Sequence, residues 1–251
     1  MNWRIPKSMA ALALCAAMWA QCAHASVVIT GTRVIFPGEN REVTVRLLND
    51  GDTPALVQTW IDTGNEKQPP EQIVVPFALT PSIFRLDQGN GQSLRLLYTG
   101  EPLPEDRESL FWLNVLEVPP KASSSDGANR IQLAFRTRIK LMFRPAGLPD
   151  KATPATQLRW EIVRQPDDKD LAVKVTNPSA YVVNFGSIEL VADGHKYALQ
   201  PGFVRPRESV TLSAHGVKTA PVRATVDYSV IDDWGVIRPQ KTISISDKPS
   251  D

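Results

Sequence analysis

Two cations sit inside stretches that otherwise read as strands. Arg33 follows Thr32 and precedes Val34-Ile35-Phe36, and Lys140 lies between Ile139 and Leu141. Taken singly, each reads as a solvated strand charge that discourages edge pairing and lays its stem along apolar surface. Taken together, they could form a cationic notch for an anion such as a carboxylate, held by charge-assisted hydrogen bonds. Other titratable residues offer less. After residue 25 only His195 and His215 remain, on or beside turn residues (Asp193-Gly194 and Gly216), with no second His or Cys at a metal-ligand spacing. The acidic pairs Asp167-Asp168 and Asp232-Asp233 stand in turn settings, where turn formation and solvation are their ordinary roles. There is no G-x-S-x-G, no Walker loop and no G-x-G-x-x-G after a strand. The expectation is therefore no enzyme, no cofactor and no metal.

Lys140 belongs to the clearest pattern in the chain, RIQLAFRTRIKLMFRP from Arg130 to Pro145. Ile131, Leu133, Phe135, Thr137, Ile139, Leu141 and Phe143 alternate with Gln132, Ala134, Arg136, Arg138, Lys140, Met142 and Arg144. Period-2 alternation of this kind marks a strand with one apolar face. Thirteen alternating residues, from Ile131 to Phe143, are more than twice the usual strand of about five or six. The core of one small domain is too short to cover such a face, so something else must cover the remainder.

The chain opens with Arg4 and Lys7, then MAALALCAAMWA and Ala23-His24-Ala25. A basic start, a short apolar run and an A-x-A site describe a secretory signal peptide over residues 1–25, with Ser26 as the mature start. The run is too short to span a membrane, which takes about 20 residues. Trp19-Ala20-Gln21 before Cys22 is a poor match to a lipoprotein site. Cys15 and Cys22 both fall in this segment, so an exported chain must be held by apolar cores without disulfides. Without Arg4 and Lys7 the balance is 26 Lys and Arg against 27 Asp and Glu, and nothing points to nucleic acid or an anionic membrane.

From Ser26 onward no helical periodicity of useful length appears. Short alternating runs (VVITGTRVIF, EVTVRLL, ALVQTWI, a broken run around FALTPSIFRL, SLRLLYT, SLFWLNVLEV and the long stretch) are separated by Asn49-Asp50-Gly51-Asp52, TGNEKQPPEQ, Gln88-Gly89-Asn90-Gly91 and KASSSDGAN. Seven strands so punctuated predict an immunoglobulin-like sandwich. The Pro-, Ala- and Thr-rich AGLPDKATPATQ then reads as an elbow. Beyond it, LRWEIV, LAVKVTN, YVVNFGSIELV, HKYALQ, SVTLS, RATVDYSVID and TISIS predict a second, smaller all-β unit. The boundaries expected are 26–147 and 148–251.

The segment LPEDRESLFWLNVLEVPP, Leu103 to Pro120, resembles closely the signature of the periplasmic pilus-assembly chaperones, the PapD-like family. The resemblance runs through Leu103-Pro104, Asp106-Arg107-Glu108-Ser109, Trp112, Asn114 and Val118-Pro119. It continues at Thr32-Arg33, at Ile139 to Pro145 and at Val230-Ile231-Asp232-Asp233-Trp234-Gly235. It implies two Ig-like sandwich domains set as an L or boomerang around a cleft. It also implies a periplasmic chaperone that folds and caps pilus or fimbrial subunits by donor-strand complementation and passes them to an outer-membrane usher.

The resemblance assigns residues as well. Ile131, Leu133 and Phe135 would fill the open groove of a subunit, while Ile139, Leu141 and Phe143 serve the chaperone's own core. Arg33 and Lys140 would anchor the subunit's C-terminal carboxylate. Lys140 has the opposite parity to the three groove-filling residues, so the subunit must engage both the strand and the cleft behind it. Glu108, Arg144 and Asp233 would form a charged cluster between the domains that fixes the elbow, without touching the subunit. The loop PPKASSSDGANR and the absence of a flanking disulfide favour the short-loop branch. An exposed apolar edge further implies self-association of unloaded chaperone. The rival readings from sequence are an exported β-sandwich adhesin or pilus subunit, and a periplasmic enzyme on such a scaffold. A subunit would show one domain, usually a disulfide, and an alternating N-terminal extension.

Overall fold

The structure is a computed structural model describing residues 26–120, 132–148, 154–164, 170–219, 221–238 and 241–245. Nine strands build the N-terminal half: β1 (Val27–Ile29), β2 (Arg33–Pro37), β3 (Glu42–Asn49), β4 (Ala55–Asp62), β5 (Phe77–Thr80), β6 (Ile83–Leu86), β7 (Gly91–Tyr98), β8 (Ser109–Val118) and β9 (Phe135–Arg144). They form two sheets, β1-β3-β7-β5 and β2-β9-β8-β4-β6. Alternating inward side chains of both sheets make one core, which includes Phe36, Leu47, Val57, Leu94, Leu96, Leu113, Val115 and Leu141. Phe36, Phe77, Tyr98, Phe111 and Phe143 meet at one end of it, with ring centroids 4.7–6.4 Å apart.

The run VVITGTRVIF, expected as one strand, is two strands in different sheets. Gly31 adopts φ +102°, which a residue with a side chain rarely takes. The chain breaks there, so that β1 pairs antiparallel with β3 and β2 pairs with β9. The β2–β9 pairing is the one parallel ladder among the described residues. FALTPSIFRL likewise divides into β5 and β6 around Pro81 and serves both sheets.

The second half contains β10 (Arg159–Arg164), β11 (Leu171–Thr176), β12 (Val183–Ala192), β13 (His195–Leu199), β14 (Phe203–Val204), β15 (Ser209–Ser213), β16 (Ala224–Ile231) and β17 (Lys241–Ile245). Its sheets are β10-β11-β15 and β13-β12-β16-β17, with β14 joined to β12. Trp160, Phe185 and Tyr228 stack in its core among Val173, Val175, Leu190 and Val226. A third apolar cluster joins the halves. Leu110, Trp112 and Met142, on the side of β8 and β9 away from their own core, pack with Val182, Phe203 and Ile35. Both faces of β8 are therefore covered, which is why its residues are buried nearly throughout rather than alternately.

Candidate functional site: a cationic cleft beside an open strand edge

β9 is half enclosed and half open. On one side it pairs with β8 from Glu117↔Phe135 to Ser109↔Phe143. On the other side β2 covers it only from Arg33↔Lys140 to Pro37↔Arg144. Among the described residues nothing pairs the outer edge from Phe135 to Ile139. The side chains divide in the same way. Ile139, Leu141 and Phe143 are buried in the N-terminal core, whereas Leu133 is 57% exposed and Phe135 36% exposed. The strand expected to start at Ile131 starts at Phe135, where the ladder with β8 begins opposite Glu117. Ile131 lies outside the described residues.

Parallel pairing places Arg33 and Lys140 directly opposite each other. Lys140 Nζ donates to Asn184 Oδ1 at 2.5 Å and lies 4.4 Å from the centroid of the Phe203 ring. Arg33 Nη1 donates to the carbonyl of Ile231 at 3.4 Å, and its Nε is buried without a hydrogen-bond partner among the described residues. No carboxylate stands within ion-pair distance of either cation among those residues. Burial, and then the neighbouring Arg33 charge, push the Lys140 ammonium down to about 8. Burial also lowers Arg33, although Asp233 and Asp232 act against it. Two partly desolvated cations with an unused N–H make a site ready for an anion. A cavity of about 630 Å³ opens beside them, lined by Asn184, Ile231, Asp233, Trp234 and Arg144.

The structure brings Glu108, Arg144 and Asp233 together across the two halves. Arg144 Nε donates to Glu108 Oε1 at 2.6 Å, while Nη1 and Nη2 donate to Asp233 Oδ2 and Oδ1 at 3.0 and 3.1 Å. Glu108 Oε2 accepts the Val182 N–H at 2.7 Å, and the Glu108 N–H reaches the Ala180 carbonyl at 2.8 Å. Burial pushes the Glu108 carboxyl up against the pull of Arg144 and the Val182 N–H. Burial opposes the Arg144 charge, but Asp233 and Glu108 outweigh it and raise its pKa. An ion pair between Arg207 and Asp106 adds a second tie between the halves.

Asn184, which receives the Lys140 ammonium, was not singled out by sequence; nothing in YVVNFGSIELV sets this strand Asn apart. Asp232, read as a turn residue, accepts the N–H groups of Trp234 and Val236 at 3.0 and 2.9 Å. Asp167-Asp168 lies outside the described residues. His215 Nδ1 lies 3.9 Å from Asp170 Oδ2 on an 85% exposed side chain, and the described residues hold no group of three His, Cys, Asp or Glu fit for a metal.

Comparison with known proteins covers nearly all of the described chain. Residues 26–149 match the family model described as "Pili and flagellar-assembly chaperone, PapD N-terminal domain", and residues 153–242 match "Pili assembly chaperone PapD, C-terminal domain". The chain is 42% identical over 244 residues to the chaperone protein FimB/FhaD of Bordetella pertussis, covering 95% of this chain and 96% of that one. It is 42% identical over 217 residues to the probable fimbrial chaperone YadV of Escherichia coli, covering 84% and 87%. Among solved structures it superposes on the YadV chaperone with a TM-score of 0.73 at 38% identity, covering 88% of this chain and all of that one. A chain of the Salmonella enterica complex of the SafA pilin with the SafB chaperone matches with a TM-score of 0.70 at 28% identity, covering 89% and 98%.

Proposed function

The chain belongs to the PapD-like family of pilus-assembly chaperones and is a fimbrial chaperone; from that premise we propose that it lends β9 to a fimbrial subunit, anchors the subunit's C-terminus in the cleft and delivers it to an outer-membrane usher. One observation carries this reading. The outer edge of β9 is unpaired from Phe135 to Ile139, and it ends where Arg33 and Lys140 face each other. Strand addition to such an edge is a known mode of recognition, with pilin chaperones among its examples. Backbone groups of the incoming strand satisfy the free N–H and C=O groups, and alternate side chains enter its groove. Ile131, Leu133 and Phe135 supply those side chains. Each contributes about 1.5–3 kcal/mol on burial, before the cost of ordering the complex.

A one-residue slip would turn Arg136 and Arg138 into the groove and Leu133 and Phe135 out of it. The carboxylate at Arg33 and Lys140 fixes the starting point and excludes such slips. Glu108, Arg144 and Asp233 hold the second half against the first and so shape the cleft, a geometric role more than a stabilising one. Residues 1–25 direct export and are removed before Ser26, which places the working protein in the periplasm. It performs no catalysis, its loop before β9 belongs to the short-loop branch, and unloaded copies associate through the apolar strand. Assays for hydrolase activity on the purified protein would stay at background.

The test is periplasmic co-expression with the neighbouring fimbrial subunits, scoring soluble subunit recovered on the chaperone. Wild type should capture subunit, and folded Lys140→Ala and Leu133→Glu should not. Equal capture by all three would make β9 an ordinary core strand.

A further inference from the structure

The upper half of β9 is gripped from behind by a polar network that neither its own core nor the anchor uses. Arg136 and Arg138 share the face of Lys140, with side chains 29% and 20% exposed. Asp62, the last residue of β4, is fully buried. It receives both arms of Arg138, from Nε to Oδ2 at 3.1 Å and from Nη2 to Oδ1 at 2.6 Å. Arg136 Nε and Nη2 donate to Asn114 Oδ1 at 2.9 and 2.7 Å, and Asn114 Nδ2 donates to Asp62 Oδ2 at 2.7 Å. Arg136 Nη1 also donates to the Glu66 carbonyl at 2.7 Å. Each guanidinium lies over an indole, Arg136 over Trp60 at 4.8 Å and Arg138 over Trp112 at 4.6 Å.

β4 and β9 are separate neighbours of β8, so Asp62 acts across β8 to hold a strand it does not pair with. The turn after β4 is built for this. The Gly64 N–H donates to Asp62 Oδ1 at 2.6 Å, and Gly64 adopts φ +122°, where a Cβ would meet the Trp112 ring at 3.0 Å. Burial alone would push the Asp62 carboxyl up; hydrogen bonds from Arg138, Asn114 and the Gly64 N–H overcome this and hold it low, so it stays charged.

Only one register satisfies the network. Sliding β9 by two residues keeps its faces but brings Ala134 or Arg138 opposite Leu116, where Arg136 now stands. One direction then leaves Asn114 and Asp62 with a single guanidinium to share, and the other puts Lys140 where Arg138 forks onto Asp62. A buried carboxylate is expensive to desolvate and adds little net stability, and fixing register is the best-attested use of such groups.

We propose that Asp62 is the positioning residue of the donor strand: through Arg138 and, by way of Asn114, Arg136, it holds Phe135–Ile139 extended, in one register and open-edged before a subunit arrives. The inference rests on the strand-donation reading and adds preorganisation to it. An edge strand with a neighbour on one side only would otherwise fray, and capture would then carry the cost of ordering it.

Amide hydrogen exchange on the full mature chain tests this, together with subunit capture and thermal melting, in wild type, Asp62→Asn and Arg138→Lys. The expected result is exchange at least tenfold faster within 135–139 in both variants, unchanged exchange in β11, and about tenfold weaker capture. Arg138→Lys keeps the charge and loses the fork, so it decides the matter should Asp62→Asn fail to fold. Unchanged exchange at 135–139, or a rise spread evenly over the N-terminal half, would overturn the proposal. Wild type capturing no subunit would instead sink the strand-donation reading, while the exchange comparison would still judge Asp62.

Discussion

The two halves of β9 share one strand and one alternation and behave as different materials. From Lys140 to Phe143 the strand has β8 on one side and β2 on the other, and Leu141 and Phe143 are buried in the core. From Phe135 to Ile139 it has β8 alone, and the apolar positions from Leu133 to Phe135 face solvent. Apolar content does not separate them. Cover does: a side chain is core only where the facing sheet closes over it, as it does from Ile139 onward and does not at Leu133 and Phe135. An identical pattern without that cover is an adhesive surface. The lower half carries stability, and on the strand-donation reading the upper half would carry binding energy realised only on a partner.

The largest effect that would sharpen this contrast lies at the closed end. Glu108→Ala removes the buried carboxylate partner of Arg144, leaving it Asp233 alone, together with the acceptor of the Val182 N–H, and should cost roughly 3–5 kcal/mol in chemical unfolding. A loss within about 0.5 kcal/mol, the ordinary surface range, would show that the cluster is not the clamp its geometry implies. Next comes Leu141→Ala, expected to cost about 2–5 kcal/mol as a large-to-small change in a closed core. Capture, measured where the variant is still folded, should be kept.

Between the halves sits Lys140, and pH divides them. Its ammonium has a pKa of about 8 in the free protein, and a bound carboxylate must raise that value. Binding therefore takes up a proton once the pH exceeds about 8. Affinity for a peptide ending in a free carboxylate should fall by up to about tenfold per pH unit from there, and stay flat below it as far as this group is concerned. Lys140→Arg should flatten the profile, and titration calorimetry across that range would read both. The smallest stability effect belongs to the open end. Leu133→Ala should leave unfolding within about 0.5 kcal/mol of wild type, as for a surface change, while weakening capture. A core-sized loss there would erase the distinction between the halves.

Much of this was legible because it is local. The alternation of β9 is written in the residues themselves, and the 103–120 signature carried the family. The break at Gly31 was visible as a glycine within an apolar run, but only the sheet switch explains it, and pairing partners are not local information. The grip on Arg136 and Arg138 was illegible for a sharper reason. Their partner Asp62 is 76 residues away from Arg138 and ends a strand that is not adjacent in the sheet. Charges on the polar side of an alternating strand ordinarily read as solvated. Three cations at every second position opposite strands ending in Trp60-Ile61-Asp62 and carrying Trp112 and Asn114 was the available signal. It needs the pairing of β4, β8 and β9 before it means anything.

The parallel entry of β2 has one more effect. By beginning opposite Lys140 it plugs the edge of β9, so any visiting strand can pair along this side only as far as Ile139 before it meets Arg33. The sticky edge is a dead end. When two empty copies meet through it, each occupies the other's short berth and no berth is left over, so growth closes at a pair by symmetry instead of running on as a filament. Sedimentation at rising concentration would then level off at twice the monomer mass. On the self-association proposed above, the same plug that limits how far a guest can slide would also hold unloaded copies to a pair.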